Sequence, residues 1–146
     1  MHSRKEELAL FFIEKGARGW NWGMYYAAKG GYKDLVDFFI EKGATDCNWG
    51  MGGAAQGGHR ELVDFFVEKG AYNWDLGMAR AARGGHRELV EFFIEKGATN
   101  WNWSIDIAIR HGHQELFDFF TERRLEIATS ERSSARFAAS FAGIDR

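Results

Sequence analysis

Apolar residues recur along this chain every 27 positions. The clearest mark of this period is a pair of adjacent phenylalanines that occurs five times. The pairs are Phe11–Phe12, Phe38–Phe39, Phe65–Phe66, Phe92–Phe93 and Phe119–Phe120. The string Glu-Lys-Gly-Ala keeps the same spacing, with copies that start at residues 14, 41, 68 and 95. A fixed period without insertions indicates one supersecondary unit that is repeated along the chain.

Each copy predicts two short helices joined by a turn. Asn48 is expected to cap the helix over Trp49 to Gln56, because its side-chain oxygen can accept a free N–H of the first turn. Every copy has Asn or Asp at this position. Gly57-Gly58 ends the first helix, and the second follows from about His59 to Lys69. Gly70 then supplies the left-handed residue that commonly follows a helix.

A unit of two short helices cannot bury all of its apolar surface alone. The stripe on the second helix, which includes Leu62, Val63 and Phe66, is wide enough to contact a neighbour on either side. We therefore predict an all-α fold, a helix-turn-helix solenoid stabilised by contacts between adjacent repeats. The predicted solenoid spans residues 1–124, with a half-repeat over 1–17, repeats over 18–44, 45–71, 72–98 and 99–124, and a C-terminal capping helix or tail over 125–146.

One motif carries a family resemblance. The sequence Ala-Ala-x-Gly-Gly-His-x-Glu-Leu-Val-x-Phe-Phe, found from residues 54 and 81 and as a variant from residue 27, resembles the core of an ankyrin repeat. The period is shorter than the ankyrin period of about 33 residues, and Asn-Trp-Gly-Met stands where Thr-Pro-Leu-His is usual. The resemblance therefore implies an ankyrin-like solenoid without β-hairpin fingers. The shortened form is similar to ankyrin-like repeat proteins of giant DNA viruses of amoebae, and ankyrin-type proteins are protein-binding scaffolds.

Composition limits the classes of function. The 146 residues are 45% hydrophobic and 27% charged, which is typical of one folded domain rather than a disordered segment. A net charge of −2 is unusual for a protein that coats nucleic acid. No apolar run predicts a membrane span, and the charged start does not resemble a secretion signal. A single cysteine, Cys47, favours a reducing intracellular compartment: the cytoplasm, or the host cytoplasm for a viral protein.

No residue pattern predicts catalysis, a metal site or a cofactor. His59, His86 and His113 share one row, with one residue per repeat, but Tyr32 occupies the same row and cannot replace a metal-binding histidine. The ankyrin resemblance implies instead that these histidines hydrogen-bond a neighbouring turn. The carboxylates recur in every copy, which favours solvated helix faces over one acid–base pair. Cys47 lacks a suggested base, which a nucleophile requires. We expect a protein that is not an enzyme.

The tryptophans form two rows near the start of the first helices. Trp22, Trp49 and Trp103 are expected to be wedged between adjacent repeats, in place of the missing finger. The other row is expected to be partly exposed, where tryptophan is a favoured binding anchor. That row consists of Trp20, Trp74 and Trp101.

First-helix positions that differ between copies mark the candidate binding surface. In an ankyrin-like stack these positions would line the concave face, with a depression at Gly52 and Gly53. The basic residues among them favour an acidic protein partner, and about four charges would bind nucleic acid only weakly. The alternative is that these positions are merely solvated. The predicted partner-binding residues are Trp20, Tyr25, Tyr26, Lys29, Trp74, Arg80, Arg83, Trp101, Asp106 and Arg110.

The two ends of the chain suggest a different class of function. Leu10 stands where the other copies have Asp or Glu, either within a cap or as a contact to another chain. Phe137, Phe141 and Ile144 have helical spacing, which predicts a closing helix from about Glu131 to Ala142. The alternatives are a mobile tail or a peptide docked by a partner. If these ends contact other copies, the protein is a structural, self-assembling component, for instance of a virion.

Overall fold

The computed structural model describes residues 4–14 and 19–144 of the chain. Every element of regular secondary structure in these residues is an α-helix, which confirms the predicted all-helical fold. Parts of the predicted half-repeat over 1–17 and of the loop before Trp20 lie outside the described residues, as do the side chains of Phe141 and Ile144. The helices are α1 (Arg4–Glu14), α2 (Trp20–Gly30), α3 (Lys33–Lys42), α4 (Cys47–Gly57), α5 (Arg60–Glu68), α6 (Trp74–Gly84), α7 (Arg87–Lys96), α8 (Trp101–Arg110) and α9 (Gln114–Ile144).

The helices pack against their neighbours in sequence order. Helices α2, α4, α6 and α8, named the first helices, form a row in which each contacts the next. Each of them also packs on the second helix that follows it in the chain, which is α3, α5, α7 or α9. Helix α1 contacts α2 and α3, and no first helix precedes it in the described part of the chain. A unit of one first and one second helix is thus repeated.

Three first helices are capped by an Asp or Asn that lies two residues before the predicted cap. The Asp46 carboxylate accepts a hydrogen bond from the backbone N–H of Trp49 at 3.0 Å, and α4 begins at the next residue. Asn73 and Asn100 cap α6 and α8 in the same way. The prediction that Asn48 caps α4 is wrong, because Asn48 lies within the first turn and its side chain binds a different loop.

The row that contains Asn48 ties each unit to the loop of the next. The Asn48 side-chain oxygen accepts hydrogen bonds from the backbone N–H groups of Tyr72 and Asn73, at 2.8 and 3.0 Å. Asn21 and Asp75 accept from the equivalent N–H groups of their own following loops, at 2.7 to 3.0 Å. These side chains satisfy loop donors that would otherwise depend on water, so the loops are held without β-structure.

A histidine and two glycines hold the turn between the helices of a unit. His59 Nε2 lies 3.0 Å from the carbonyl oxygen of Lys29, at the end of the preceding first helix, and it donates because a carbonyl can only accept. The equivalent pairs are His86 with Gln56 at 3.0 Å and His113 with Arg83 at 2.9 Å. A β-carbon at Gly57 would lie 2.1 Å from the same Lys29 oxygen, and Gly58 has a left-handed φ of 79°. The expected hydrogen bond to a neighbouring turn is confirmed.

One fully buried phenylalanine per unit fills the space between a first and a second helix. These residues are Phe39, Phe66, Phe93 and Phe120. The rings come so close to the first helix that a β-carbon at Gly50 would lie 2.4 Å from the Phe66 ring. In the last unit Ser104 occupies the position of Gly50, and its hydroxyl is buried without a hydrogen-bond partner among the described residues. The last unit therefore buries a polar group at a position where the preceding units have glycine.

On the second helices, cations of one unit cover phenylalanine rings of the next. Lys33 Nζ and the Arg60 guanidinium each lie 4.1 Å from a ring centroid, over Phe65 and Phe92 respectively. The same cations form ion pairs one turn later in their own helix, Lys33–Asp37 at 2.6 Å and Arg60–Asp64 at 3.2 Å. These charges on the second helices are thus engaged in contacts both within a unit and between adjacent units.

The C-terminal tail continues the last second helix. Helix α9 runs unbroken from Gln114 to Ile144. The residues predicted to form a closing helix, Glu131 to Ala142, are therefore helical, but they continue α9 and do not begin a helix of their own. Arg124 stands where the earlier units have a helix-ending glycine, and its guanidinium donates to Asn102 Oδ1 at 2.8 Å. Without that glycine the helix continues, and residues 129–140 are exposed to solvent.

Candidate interaction surface

The two tryptophan rows match their predicted roles only in part. Trp49 is wedged between units as predicted, because its ring stacks on Tyr25 of the preceding unit. The predicted anchors Trp20, Trp74 and Trp101 are half-buried and pack on the core phenylalanine of their own unit, with ring centroids 5.8 to 6.4 Å apart. Trp22 and Trp103 are instead 39% and 40% exposed, so the prediction that they are wedged between units is wrong. The two rows lie two residues apart, and side chains two residues apart on a helix point about 200° away from each other. Only one of the two rows can therefore face the core.

Tyr25 and Arg80 join three first helices, although the sequence placed them among the partner-binding residues. The Tyr25 ring is 5% exposed and stacks on Trp49 of α4 with centroids 4.6 Å apart. Its hydroxyl donates to Gln56 Oε1 at 2.6 Å. Arg80 of α6 donates to the Tyr25 and Gln56 side-chain oxygens at 3.4 Å each and lies over the Trp49 ring at 4.8 Å. Tyr25 is therefore too buried to contact a partner.

Burial also changes the acidity of Tyr25. Loss of water around the phenol raises its pKa, and the positive charges of Arg80 and Arg83 offset part of that rise. The neutral phenol is the form that can donate to Gln56. The link between α2, α4 and α6 therefore persists to a higher pH than an exposed tyrosine would allow.

The predicted depression at Gly52 and Gly53 is filled by neighbouring atoms. A β-carbon at Gly53 would lie 2.5 Å from the carbonyl oxygen of Tyr25, so α2 and α4 touch there. A β-carbon at Gly52 would lie 3.4 Å from Cγ of Arg80. The two glycines thus permit close packing of first helices and do not form a ligand pocket.

The exposed residues that remain form a stripe, which we name the first-helix surface: Trp22, Tyr26, Lys29, Arg83 and Arg110. The first three lie four and three residues apart and so share one side of α2. The Trp22 and Tyr26 rings stack with centroids 6.0 Å apart, and Tyr26 is 44% exposed. Arg83 and Arg110 occupy the position of Lys29 in α6 and α8. Sequence reasoning missed Trp22, although its helical spacing from Tyr26 was the available signal.

Positive charge dominates the first-helix surface. Lys29, Arg83 and Arg110 bring cations from three different units. Asp106, which the sequence also predicted to contact a partner, pairs with Arg110 at 3.1 Å. Cations beside exposed aromatic rings suit a partner that presents carboxylates next to apolar groups.

The cavities beside the histidine turns are shallow grooves. One of about 350 Å³ is lined by residues that include His59 and Arg60, and one of about 320 Å³ lies beside His86 in the next unit. The two histidines already donate to backbone carbonyls. No cluster of three His, Cys, Asp or Glu residues that could hold a metal ion occurs in residues 4–14 and 19–144. The Cys47 thiol lies 3.7 Å from the Lys69 carbonyl oxygen, which it can weakly hydrogen-bond.

None of the helices that the structure describes is both long and apolar enough to cross a membrane. No protein-family model matches the chain, and no curated protein matches it.

Proposed function

We propose that this chain is a non-catalytic protein-interaction module that binds an acidic protein partner through the first-helix surface. The observation that carries the proposal is the exposed stripe of Trp22, Tyr26 and Lys29 on α2, continued by Arg83 and Arg110 on later units. Tyrosine, tryptophan and arginine are the residue types that most often anchor protein interfaces. Lys29 and Arg83, together with the Arg110–Asp106 pair, leave an excess of positive charge that complements a partner carrying carboxylates.

We also propose that the units form an ankyrin-like solenoid without β-hairpin fingers. The row of first helices, each in contact with the next, supports this arrangement. So do the hydrogen bonds that recur at each junction, from the asparagine row to the loops and from the histidine row to the helix ends. In such a solenoid the first helices would line the concave face, which would bring the whole first-helix surface to one side of the molecule.

The internal links hold this surface in place before a partner binds. Tyr25, Gln56 and Arg80 join α2, α4 and α6 through hydrogen bonds and ring contacts. The exposed side chains therefore project from helices whose mutual positions are fixed. A fixed surface loses less conformational entropy on binding than a flexible one, so fewer contacts are needed for the same affinity.

A charge reversal with a matched control tests the proposal. The variant Lys29→Glu/Arg83→Glu removes two cations from the first-helix surface, and Lys69→Glu/Lys96→Glu makes the same change in net charge at the ends of second helices. Partners are captured from a cell lysate with the native chain, identified by mass spectrometry, purified and titrated against each variant. We expect binding to weaken by at least about tenfold in the first variant and to persist in the second.

Other outcomes would contradict this assignment. If both variants weaken binding equally, the attraction reflects net charge and not the first-helix surface. If the first variant binds as well as the native chain, the partner contacts another part of the molecule. Recovery of a nucleic acid, with affinity that falls steeply as salt rises, would replace the proposed protein partner.

The second candidate function, self-assembly through the chain ends, is also favoured by an observation. Leu8, Leu10 and Phe11 are exposed on α1, and Ile109 is exposed on the last first helix. The C-terminal end gives the more specific inference, which is argued next.

A further inference from the structure

The last first helix has an uncovered side. One row of the first helices consists of Ala28, Ala55 and Ala82, all completely buried. In α8 the same row holds Ile109, which is 58% exposed although α6 packs against α8 from the preceding side. The row must therefore face the unit that follows, and α8 has no following first helix in the described chain. A shallow cavity of about 310 Å³ beside it is lined in part by Ile109 and Phe117.

The C-terminal tail carries the sequence pattern of a first helix. In α2, α4 and α6 the pattern is a glycine followed four and five positions later by two alanines. Ser134, Ala138 and Ala139 repeat this pattern in the tail, and Ser104 of α8 shows that serine is accommodated at the first position. The tail is also helical and exposed, so it is already in the conformation that a first helix needs.

Alignment of the tail with the first helices predicts which side of the tail would face α8 and which would face away from it. In this alignment Phe137 corresponds to Gly53 of α4. A β-carbon at Gly53 would lie 3.0 Å from the Tyr25 ring of the preceding unit, so this position faces the preceding first helix. The residue of α8 that corresponds to Tyr25 is Asp106. Phe137 would therefore face α8 beside Asp106, whereas Ala139, in the row of Ile109, would face away from α8.

The tail cannot occupy this site in its own chain while α9 remains unbroken. Phe137 lies 13 residues beyond Arg124 in a continuous helix, which carries it about 20 Å past the last unit. A second copy can supply the helix instead. Helices α8 and α9 are in contact and are joined by the short turn over 111–113, which is typical of an antiparallel helix pair. An added first helix would therefore run opposite to α9 of the receiving copy. A two-fold axis perpendicular to α9 gives this direction to both copies.

We propose that two copies of this chain exchange residues 131–142 in a two-fold dimer. Each tail packs as an added first helix on the Ile109 side of α8 in the other copy. This contact extends the existing row α2, α4, α6 and α8 by one member. It covers Ile109 together with Phe137, which is 66% exposed in a single chain. The exchange is independent of the partner that the first-helix surface binds.

Two variants with the same charge change test the dimer. Phe137→Glu alters the side of the tail that faces α8, and Ala139→Glu alters the side that faces away. Both residues are exposed in the single chain, so both variants should fold, as circular dichroism will verify. Light scattering across a range of concentrations should show a dimer for the native chain. We expect the dimer dissociation constant to rise at least about tenfold for Phe137→Glu and to stay unchanged for Ala139→Glu, because aromatic anchors dominate interface energies.

Cysteine cross-linking shows which chain receives the tail. A chain with Cys47→Ser and Asp106→Cys is mixed with a chain with Cys47→Ser and Phe137→Cys and oxidised. A disulfide that joins the two different chains is the expected result. The proposal would be overturned by a native chain that is monomeric at every concentration, or by a dimer that both glutamate variants affect alike. Closure of a disulfide within one monomeric chain that carries both cysteines would also overturn it, because the tail would then fold onto its own α8.

Discussion

Two adjacent glycines in α4 are expected to respond in opposite ways to the same substitution. Gly52 and Gly53 both lie inside the helix, so alanine gains about 1 kcal/mol of helix propensity at either position. They differ only in what an added methyl group would meet. A comparison of Gly52→Ala with Gly53→Ala therefore isolates the contact between α2 and α4 from the propensity of the residue.

The two contacts differ in kind and in distance. At Gly52 the new β-carbon would lie 3.4 Å from Arg80 Cγ and 3.7 Å from Leu76 Cγ, and both belong to flexible side chains. We expect Gly52→Ala to raise the free energy of unfolding by about 1 kcal/mol. At Gly53 the β-carbon would lie 2.5 Å from the backbone oxygen of Tyr25. Overpacking costs about 1–3 kcal/mol, and a contact this short with backbone lies toward the upper end of that range. After the propensity gain is subtracted, Gly53→Ala should lower the free energy of unfolding by about 1–2 kcal/mol.

Urea unfolding followed by circular dichroism measures both variants. The midpoints should shift in opposite directions while the dependence on urea stays constant, because the surface exposed on unfolding hardly changes. If Gly53→Ala stabilises the protein as much as Gly52→Ala does, then α2 and α4 do not meet at Tyr25. The explanation of the filled depression would then be wrong.

Three further predictions follow from named contacts. Asn48→Ala should lower the free energy of unfolding by about 1–2 kcal/mol, because two loop N–H groups lose their acceptor. Asn48→Asp should be tolerated, because Asp75 accepts the same hydrogen bonds in the next unit. Equal losses of stability in both variants would contradict this role. Ser104→Ala should raise the free energy of unfolding by about 1 kcal/mol, because it removes a buried hydroxyl that has no hydrogen-bond partner among the described residues. If urea unfolding shows that the variant is less stable than the native chain, the hydroxyl is hydrogen-bonded. Because the pKa of Tyr25 is raised in the folded state, its contribution to stability is present below the unfolded pKa near 10 and is lost as pH rises through the folded pKa. Stability curves of the native chain and Tyr25→Phe should therefore converge in alkaline solution, and curves that stay parallel would refute the effect.

The helices could be predicted from the sequence because their signals are local and repeated. Gly58 ends α4 with a left-handed φ, as the Gly-Gly pair indicated, and Gly70 likewise has a positive φ of 109° after α5. The histidine contacts were also predictable, because His59 occurs beside the turn in a motif that resembles a known one. The start of α4 was not predictable. Asp46 and Asn48 can both accept a hydrogen bond from a backbone N–H, and only the path of the following loop decides which of them is the cap.

The orientation of residues between units was the main point that the sequence could not supply. Trp20 and Trp22 are the same residue type, and periodicity alone does not say which of them faces the core. Tyr25 and Arg80 lie 55 residues apart, and nothing local indicates that they meet across two helix junctions. Their contact depends on Gly52 and Gly53, which bring α2, α4 and α6 close enough for one side chain to reach the next.

A repeated fold gives the same residue row different physical properties at its middle and at its ends. Ala28, Ala55 and Ala82 are covered by the next unit, whereas Ile109 in the same row is open, and a larger apolar residue there increases the area that a neighbour can cover. The side of α2 that bears Trp22 and Tyr26 is exposed for the corresponding reason, since no first helix precedes it in the described chain. Exposed apolar and aromatic side chains on the first helices thus occur where the described row of helices begins and stops. Binding to another molecule at either end requires no rearrangement of the interior. The two proposed contacts, an acidic partner on the first-helix surface and a second copy on α8, can therefore form on the same folded chain.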